Sequence, residues 1–362
     1  MSINTYFLRR NSVHEQMKRC VVDAVIVTPS SDFLYLTGCG KKPSQRHTAL
    51  VFLPGRSILI IPRIEISSLQ GHTEGLELLP YSDTQDAVSL IADLLPGRGR
   101  AAVGREMCSG LLLALQQKRS SLAFTNADVL LVPLRSRKSA QEIETIHQAQ
   151  RMAERALMRL LHEPLVGKSE IELSRRLRQL RLKEGFDAVG SGIVASGENT
   201  AYPHHTPGNR IVREGDVLLF DIGGTYRGYH ADFTRTYAVG RVPEGFKAIY
   251  DVVHAAFEAG VQAAQCGRPA AAVDRAARCV IEEAGYGEFF THRLGHGIGL
   301  DVHEPPYISS LNQTPLENGD VFSCEPSIYL PGRYGVRIED LLAIENCRAC
   351  SLNSLDHALQ IL

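Results

Sequence analysis

Two turns in the second half of the chain are flanked by acidic residues set inside apolar runs, and this limits what the chain can become. Val217-Leu218-Leu219-Phe220-Asp221 leads through Ile222-Gly223-Gly224 to Tyr226-Arg227-Gly228 and returns as His230-Ala231-Asp232-Phe233-Thr234-Arg235-Thr236. The apolar run reads as a buried strand. A reversal centred between Tyr226 and Arg227 sets Asp221 opposite Asp232, with Cβ atoms roughly 4.5–5.5 Å apart. Downstream, Val321-Phe322-Ser323-Cys324-Glu325 reaches the turn dipeptide Pro331-Gly332 and returns as Val336-Arg337-Ile338-Glu339-Asp340. A reversal centred on Gly332 sets Glu325 opposite Glu339. Carboxylates this close repel unless a cation lies between them. A single acidic hairpin is usually a solvated one. Two, each with mirrored acids inside apolar strands, ask for another explanation.

His296 supplies the nitrogen. It lies in Leu294-Gly295-His296-Gly297-Ile298-Gly299, whose glycines are expected to allow close backbone approach and positive φ. No Glu follows His296 and no second His stands four residues on, which excludes the helical HExxH zinc motif. A dinucleotide loop is excluded too, because Asp301, Pro305 and Pro306 follow in place of a helix. Asp221, Asp232, His296, Glu325 and Glu339 together suit a pair of divalent cations in a mostly oxygen environment.

These residues and their neighbours resemble the pita-bread metallopeptidases, the group of prolidase, Xaa-Pro aminopeptidase and methionine aminopeptidase. The likeness is carried by Phe220-Asp221-Ile222-Gly223, Asp232-Phe233-Thr234-Arg235-Thr236, Gly295-His296-Gly297-Ile298-Gly299, Cys324-Glu325-Pro326 and Gly335-Val336-Arg337-Ile338-Glu339-Asp340. Val302-His303-Glu304-Pro305 and Tyr202-Pro203-His204 look like the proline-specific branch. One departure is His205, where many relatives have glycine; of the two histidines, His204 is taken to face the site.

The resemblance implies two divalent ions, manganese first, with cobalt or zinc as alternatives. It makes Asp232 and Glu339 the bridges, Asp221 a chelator of one ion, and His296 and Glu325 the completing ligands of the other. A hydroxide held between the ions would attack the scissile carbonyl, and Glu325 would carry a proton to the leaving nitrogen. His204 and His303 would steer the substrate and stabilise the gem-diolate. Arg337 and Tyr329 either serve the substrate site or form a salt bridge and a packed ring. The implied reaction is hydrolysis of the bond between an N-terminal residue and proline in dipeptides or short peptides. An aminopeptidase of other specificity, or a family member that binds peptides without catalysis, are the alternatives.

Organisation agrees with this. The 362 residues suggest about two domains, and 44% hydrophobic with 22% charged residues is enough to bury full cores. Lys+Arg 39 against Asp+Glu 40 gives no pull toward nucleic acid or acidic membranes. Arg135-Ser136-Arg137-Lys138 reads as a solvated run leading into a helix. No secretory signal and no membrane-length apolar stretch is seen, and the eight cysteines read as reduced thiols, so the expected location is cytoplasmic. Cys347-x-x-Cys350 reads as a pair of surface thiols.

A division near Pro133 gives an α/β N-terminal domain (1–133) and an α+β catalytic domain (134–362). In the first, a helix near Ser12–Cys20 leads to the strand Ala24–Val27. Phe33-Leu34-Tyr35-Leu36 follows, then a hairpin Ala49–Leu53 / Ser57–Ile61 on Pro54-Gly55 and a helix at Leu111–Arg119; Val129–Val132 closes the series. By resemblance this is a creatinase-type domain, which in relatives covers the mouth of the site and supports homodimers. In the second, capping boxes Ser139-x-x-Glu142 and Ser169-x-x-Glu172 open two helices, the latter ended by Gly185. Two more, about Gly245–Ala264 and Ala270–Ala284, share Ala-rich faces suited to close packing. Helix, helix, hairpin thus occurs twice, an internal pseudo-two-fold repeat.

Overall fold

Ala24-Val25-Ile26-Val27 has no polar face, and in the folded chain it lies inside a sheet with every residue buried. The computed structural model describes residues 3–69, 73–190 and 192–362. The chain divides into two units, Met1–Arg135 and Ser136–Leu362.

The first unit runs α1 (Ile3–Cys20), β1 (Ala24–Val27), α2 (Ser31–Thr37), β2 (Ala49–Leu53), β3 (Arg56–Pro62), β4 (Glu77–Tyr81), α3 (Ala87–Leu94), β5 (Gly99–Val103), α4 (Ser109–Lys118), β6 (Leu122–Asn126) and α5 (Asp128–Ser136), whose last residue begins the second unit. Its strands form one mixed sheet in the order β4-β3-β2-β1-β5-β6. The β2/β3 hairpin turns on Pro54-Gly55, with Gly55 in the left-handed region. Phe33–Leu36 is helical. Ser30 caps α2, its Oγ accepting from the Phe33 N–H at 3.2 Å, and Gly38 closes it in the left-handed conformation. Val129–Val132 is helical too, inside α5, which also contains Pro133. An apolar tetrad alone does not distinguish helix from strand.

The second unit opens with α6 (Ala140–Leu161) and α7 (Glu170–Glu184), followed by β7 (Ile193–Ser196), β8 (Val217–Tyr226) and β9 (Tyr229–Ala238). Both capping boxes form, and Gly185 ends α7 in the left-handed conformation. Ala149, Ala153, Leu157 and Leu160 of α6 pack into one core with Leu218, Phe220 and Phe233 of the first hairpin. Then come α8 (Phe246–Ala263), α9 (Ala270–Glu283), β10 (Gly295–Gly297), β11 (Glu304–Ile308), β12 (Val321–Cys324), β13 (Ser327–Leu330), β14 (Tyr334–Arg337), β15 (Asp340–Glu345) and β16 (Arg348–Ser351). These strands form a sheet ordered β11-β10-β12-β15-β16 and a β13-β14 ribbon. The helices α8 and α9 share a second core with them. The small faces pack closely: a Cβ placed on Gly260 would stand 2.9 Å from Cys324 Sγ and 3.7 Å from Ala277 Cβ. Two helices against a hairpin therefore recur.

The basic run leading into α6 is solvated at Arg137 and is otherwise drawn into ion pairs. Arg135 pairs with Asp32 at 2.6 Å, Arg137 with Glu317 at 2.5 Å, and buried Lys138 with Glu304 at 2.8 Å. Cys347 and Cys350 are exposed free thiols. Among the described residues no helix is long and apolar enough to cross a membrane.

Candidate metal centre

The first hairpin reverses one residue later than the spacing suggests. Tyr226 pairs with Tyr229 across a two-residue turn in which Arg227 and Gly228 both have positive φ, at 50° and 82°. Such a turn matches the twist of the strands it joins. Asp221 consequently lies opposite Thr234, and Asp232 opposite Gly223. A one-residue shift of the centre moves each partner by two, so both acids keep the same face. The opposition of Asp221 and Asp232 is thus corrected to a diagonal one. Gly223 permits it, because a Cβ there would meet the Ala231 carbonyl oxygen at 2.1 Å.

The second hairpin has the expected register. Leu330 pairs with Tyr334 about Gly332, and Cys324 with Asp340. Between these ladders Glu325 and Glu339 stand at mirror positions. The hairpins meet where Thr234 bridges to Glu339. There Thr234 Oγ1 donates to Glu339 Oε2 at 2.6 Å and accepts from Arg337 Nε at 3.0 Å.

His296 is buried on β10. Its glycine neighbours serve close approach and not positive φ. A Cβ on Gly295 would lie 1.8 Å from the Ser323 carbonyl oxygen, and one on Gly297 would lie 2.4 Å from that of Glu304. Neither these two nor Gly299 has positive φ. Nδ1 of His296 donates to the Gly297 carbonyl at 3.1 Å, leaving the Nε2 lone pair for the site. Nε2 lies 3.4 Å from Glu325 Oε1 and 3.9 Å from Asp232 Oδ2. Donor atoms of Asp232, His296 and Glu339 all lie within 4.8 Å of one another.

All five residues line one cavity of about 630 Å³, together with His204, His303, His292, Arg293 and Arg337. Its charges are poorly compensated by protein alone. Burial, reinforced by Asp221 and Glu325, pushes the Asp232 carboxyl well above the carboxylate range. Burial also raises Glu339, with Asp232, Glu325 and Asp221 adding to it. Burial lifts Glu325 to about 7, Asp221 adding to the rise while Arg337 opposes it. His296 is driven down to about 3 by burial and then by His303, which keeps the ring neutral and able to ligate. Among the described residues, the arginine in ion-pair contact with these acids is Arg337, on Asp221. Crowded carboxylates beside a neutral imidazole are a donor set that fits divalent cations.

Comparison with known proteins agrees with this geometry. A family model described as metallopeptidase family M24 matches residues 144–346, and one described as the creatinase/prolidase N-terminal domain matches residues 9–137. The chain belongs to metallopeptidase family M24. A probable dipeptidase PepE of Mycobacterium tuberculosis is 38% identical over 342 residues, spanning 92% of this chain and 91% of the relative. The crystal structure of dipeptidase PepE from Mycobacterium ulcerans superposes with a TM-score of 0.94 at 35% identity, covering 100% of this chain and 99% of that one. A prolidase from Thermococcus sibiricus gives 0.93 at 35% identity, covering 99% of both chains. The fold is accordingly a creatinase-type N-terminal domain followed by the pita-bread domain of M24 enzymes.

Within this M24 domain the structure distinguishes the two adjacent histidines. His204 lines the cavity. His205 Nε2 bonds Glu170 Oε2 at 2.7 Å, on the side of α7. Arg337 is committed to its neighbours: besides Asp221, Nη1 donates to Tyr329 Oη at 2.7 Å. Tyr329 itself is buried behind Arg337 and is not part of the cavity wall. Sequence reasoning overlooked the supports. Gln150 on α6 donates to the Asp232 carbonyl at 2.8 Å and accepts from its N–H at 3.0 Å. Ser323 Oγ donates to Glu325 at 3.1 Å and accepts from the His296 N–H at 3.0 Å. Arg235 spans the joint, donating to Asp340 and to the Glu339 carbonyl, each at 2.8 Å. A polar residue on the apolar face of α6 was the available signal for Gln150.

Proposed function

We propose that this M24 enzyme hydrolyses the bond between an N-terminal residue and proline, as an Xaa-Pro dipeptidase or aminopeptidase. The observation that carries the reading is the meeting of Asp221, Asp232, His296, Glu325 and Glu339 in one cavity with His204 and His303 on its wall. Likeness to proteins named dipeptidase and prolidase supports it. The five residues would hold two divalent ions, manganese first. Bound there, such ions supply a Lewis acid for the scissile carbonyl and a water acidified toward neutrality.

The chain's own residues do the rest. Glu325, held by Ser323, carries a proton to the prolyl nitrogen, which must be protonated to leave as a secondary amine. His303 is kept below its ordinary pKa by burial, Arg293 and His204, so it donates a hydrogen bond to the substrate without a charge. His204 fixes the peptide from the side of Pro203. Arg337 orients Asp221, and Tyr329 orients Arg337; both are positioning residues. We further propose a cytoplasmic homodimer with its domain division near Pro133.

The test is turnover of Ala-Pro, Ala-Pro-Ala and Ala-Ala by purified protein, with Mn²⁺ and after exhaustive chelation. Manganese-dependent cleavage of the proline peptides is expected, and the ratio of the two chain lengths separates dipeptidase from aminopeptidase. Turnover that survives chelation, or a preference for Ala-Ala, would overturn the reading.

A further inference from the structure

A second cluster of ligating side chains lies on the α8 side of the unit and takes no part in the cavity described above. His254 and Glu258 are four residues apart on α8, which puts them on one face. His254 Nε2 and Glu258 Oε1 are 3.7 Å apart. That is close to the edge of a zinc tetrahedron, about 3.4 Å for ligands near 2.1 Å from the ion. His357, from the segment after β16, completes the group: one donor atom from each of the three lies within 4.8 Å of the other two.

His357 is held as a ligand would be. Its Nε2 donates to Asp340 Oδ2 at 2.9 Å, and Asp340 is buried and itself anchored by Arg235 at 2.8 Å. That leaves Nδ1 with its lone pair, the tautomer a metal-bound histidine adopts when a carboxylate takes its other N–H. The ring packs on Phe257 with centroids 4.5 Å apart, and the His357 carbonyl accepts from Tyr250 Oη at 2.9 Å. An ordinary surface ion pair would need none of this buried support.

We propose that His254, Glu258 and His357 form a zinc site that staples the segment carrying His357 to α8. Two imidazoles and one carboxylate, with a position left for water, suit zinc over manganese, in contrast to the carboxylate-rich cavity. The stapled segment continues to Gln360 and Leu362, whose carbonyls accept from Ala238 at 3.1 Å and Gly240 at 2.8 Å at the end of β9. Zinc would thus tie α8 to the end of the first hairpin.

The experiment counts zinc per chain after equilibrium dialysis and follows thermal unfolding of the full-length protein. Asp232→Asn/Glu339→Gln protein should still bind one equivalent of zinc, and adding His254→Ala should abolish it. In the otherwise wild-type chain, His254→Ala should bind one equivalent fewer, with peptidase turnover unchanged. Zinc should raise the Tm of the Asp232→Asn/Glu339→Gln protein by several degrees, and adding His254→Ala should remove that rise. Equal zinc content in parent and His254→Ala, or no zinc in the Asp232→Asn/Glu339→Gln protein that still unfolds cooperatively, overturns the proposal.

Discussion

The two acidic hairpins solve one problem by different routes. In the first, β8 and β9 form an unbroken ladder from Val217/Ala238 to a two-residue turn, and the acids sit diagonally. In the second, the ladder is interrupted at Glu325-Pro326 and Ile338-Glu339, and the acids face each other between the β12/β15 pairing of the sheet and the β13-β14 ribbon. Thr234 stands opposite Asp221, the place that spacing alone assigns to Asp232, and it joins the hairpins through Glu339. A continuous ladder can thus offer its edge to a neighbour. The broken one turns its side chains inward at the gap. Convergence depends on combining both.

The largest effect should come from removing Glu325, the proposed proton carrier on the broken hairpin. Glu325→Gln should keep the fold while kcat falls by roughly 10²- to 10⁴-fold. Circular dichroism and steady-state kinetics check it, and retained turnover would take Glu325 out of that role.

Acidification probes the packing behind the second hairpin. Burial holds His292 at about 4, its Nδ1 donating to the Arg293 carbonyl and its Nε2 accepting from Ser327 at 2.7 Å. Because the folded value lies below the ordinary one, its stabilising contribution is whole above about pH 6.5 and is lost as pH falls through about 4. The loss approaches roughly 3 kcal/mol. Denaturant titrations across that window in cation-free buffer should show a shallower acid slope for His292→Gln than for wild type.

Glycine substitutions separate close approach from turn geometry. Gly223→Ala in the continuous ladder should cost about 2–4 kcal/mol, because its Cβ would overlap a backbone oxygen. Gly332→Ala at the other turn has φ of 73° but open space, and should cost only about 1–2 kcal/mol. Equal losses in Tm would mean that backbone approach is not what fixes the first register. Thr234→Val should weaken cation affinity by roughly 10- to 100-fold, and Ser323→Ala on the other hairpin by less. Competition with a chelator measures both. A larger effect at Ser323 would shift the weight of the joint to the broken hairpin.

Much of this was legible in the sequence because local rules act there. The capping boxes at Ser139 and Ser169 and the Gly332 turn involve partners a few residues apart, and each forms as its residues dictate. The reversal at Arg227-Gly228 was missed by one residue because it depends on a non-glycine residue accepting positive φ to suit the strand twist. Phe33–Leu36 went unrecognised as a helix because its cap, Ser30, lies outside the apolar run.

By itself the sequence determined which side chains are acidic, which glycines can admit a neighbouring backbone, and that period-two alternation keeps both acids of a hairpin on one face. Only the tertiary structure decided that Thr234 abuts Glu339, that His204 faces the cavity while His205 turns to Glu170, and that Gln150 grips Asp232 from another element. The physical reason is range. Periodicity and turn chemistry act over a few residues, whereas the 2.6 Å bond from Thr234 to Glu339 spans 105 positions of chain and exists only once two separate cores have packed.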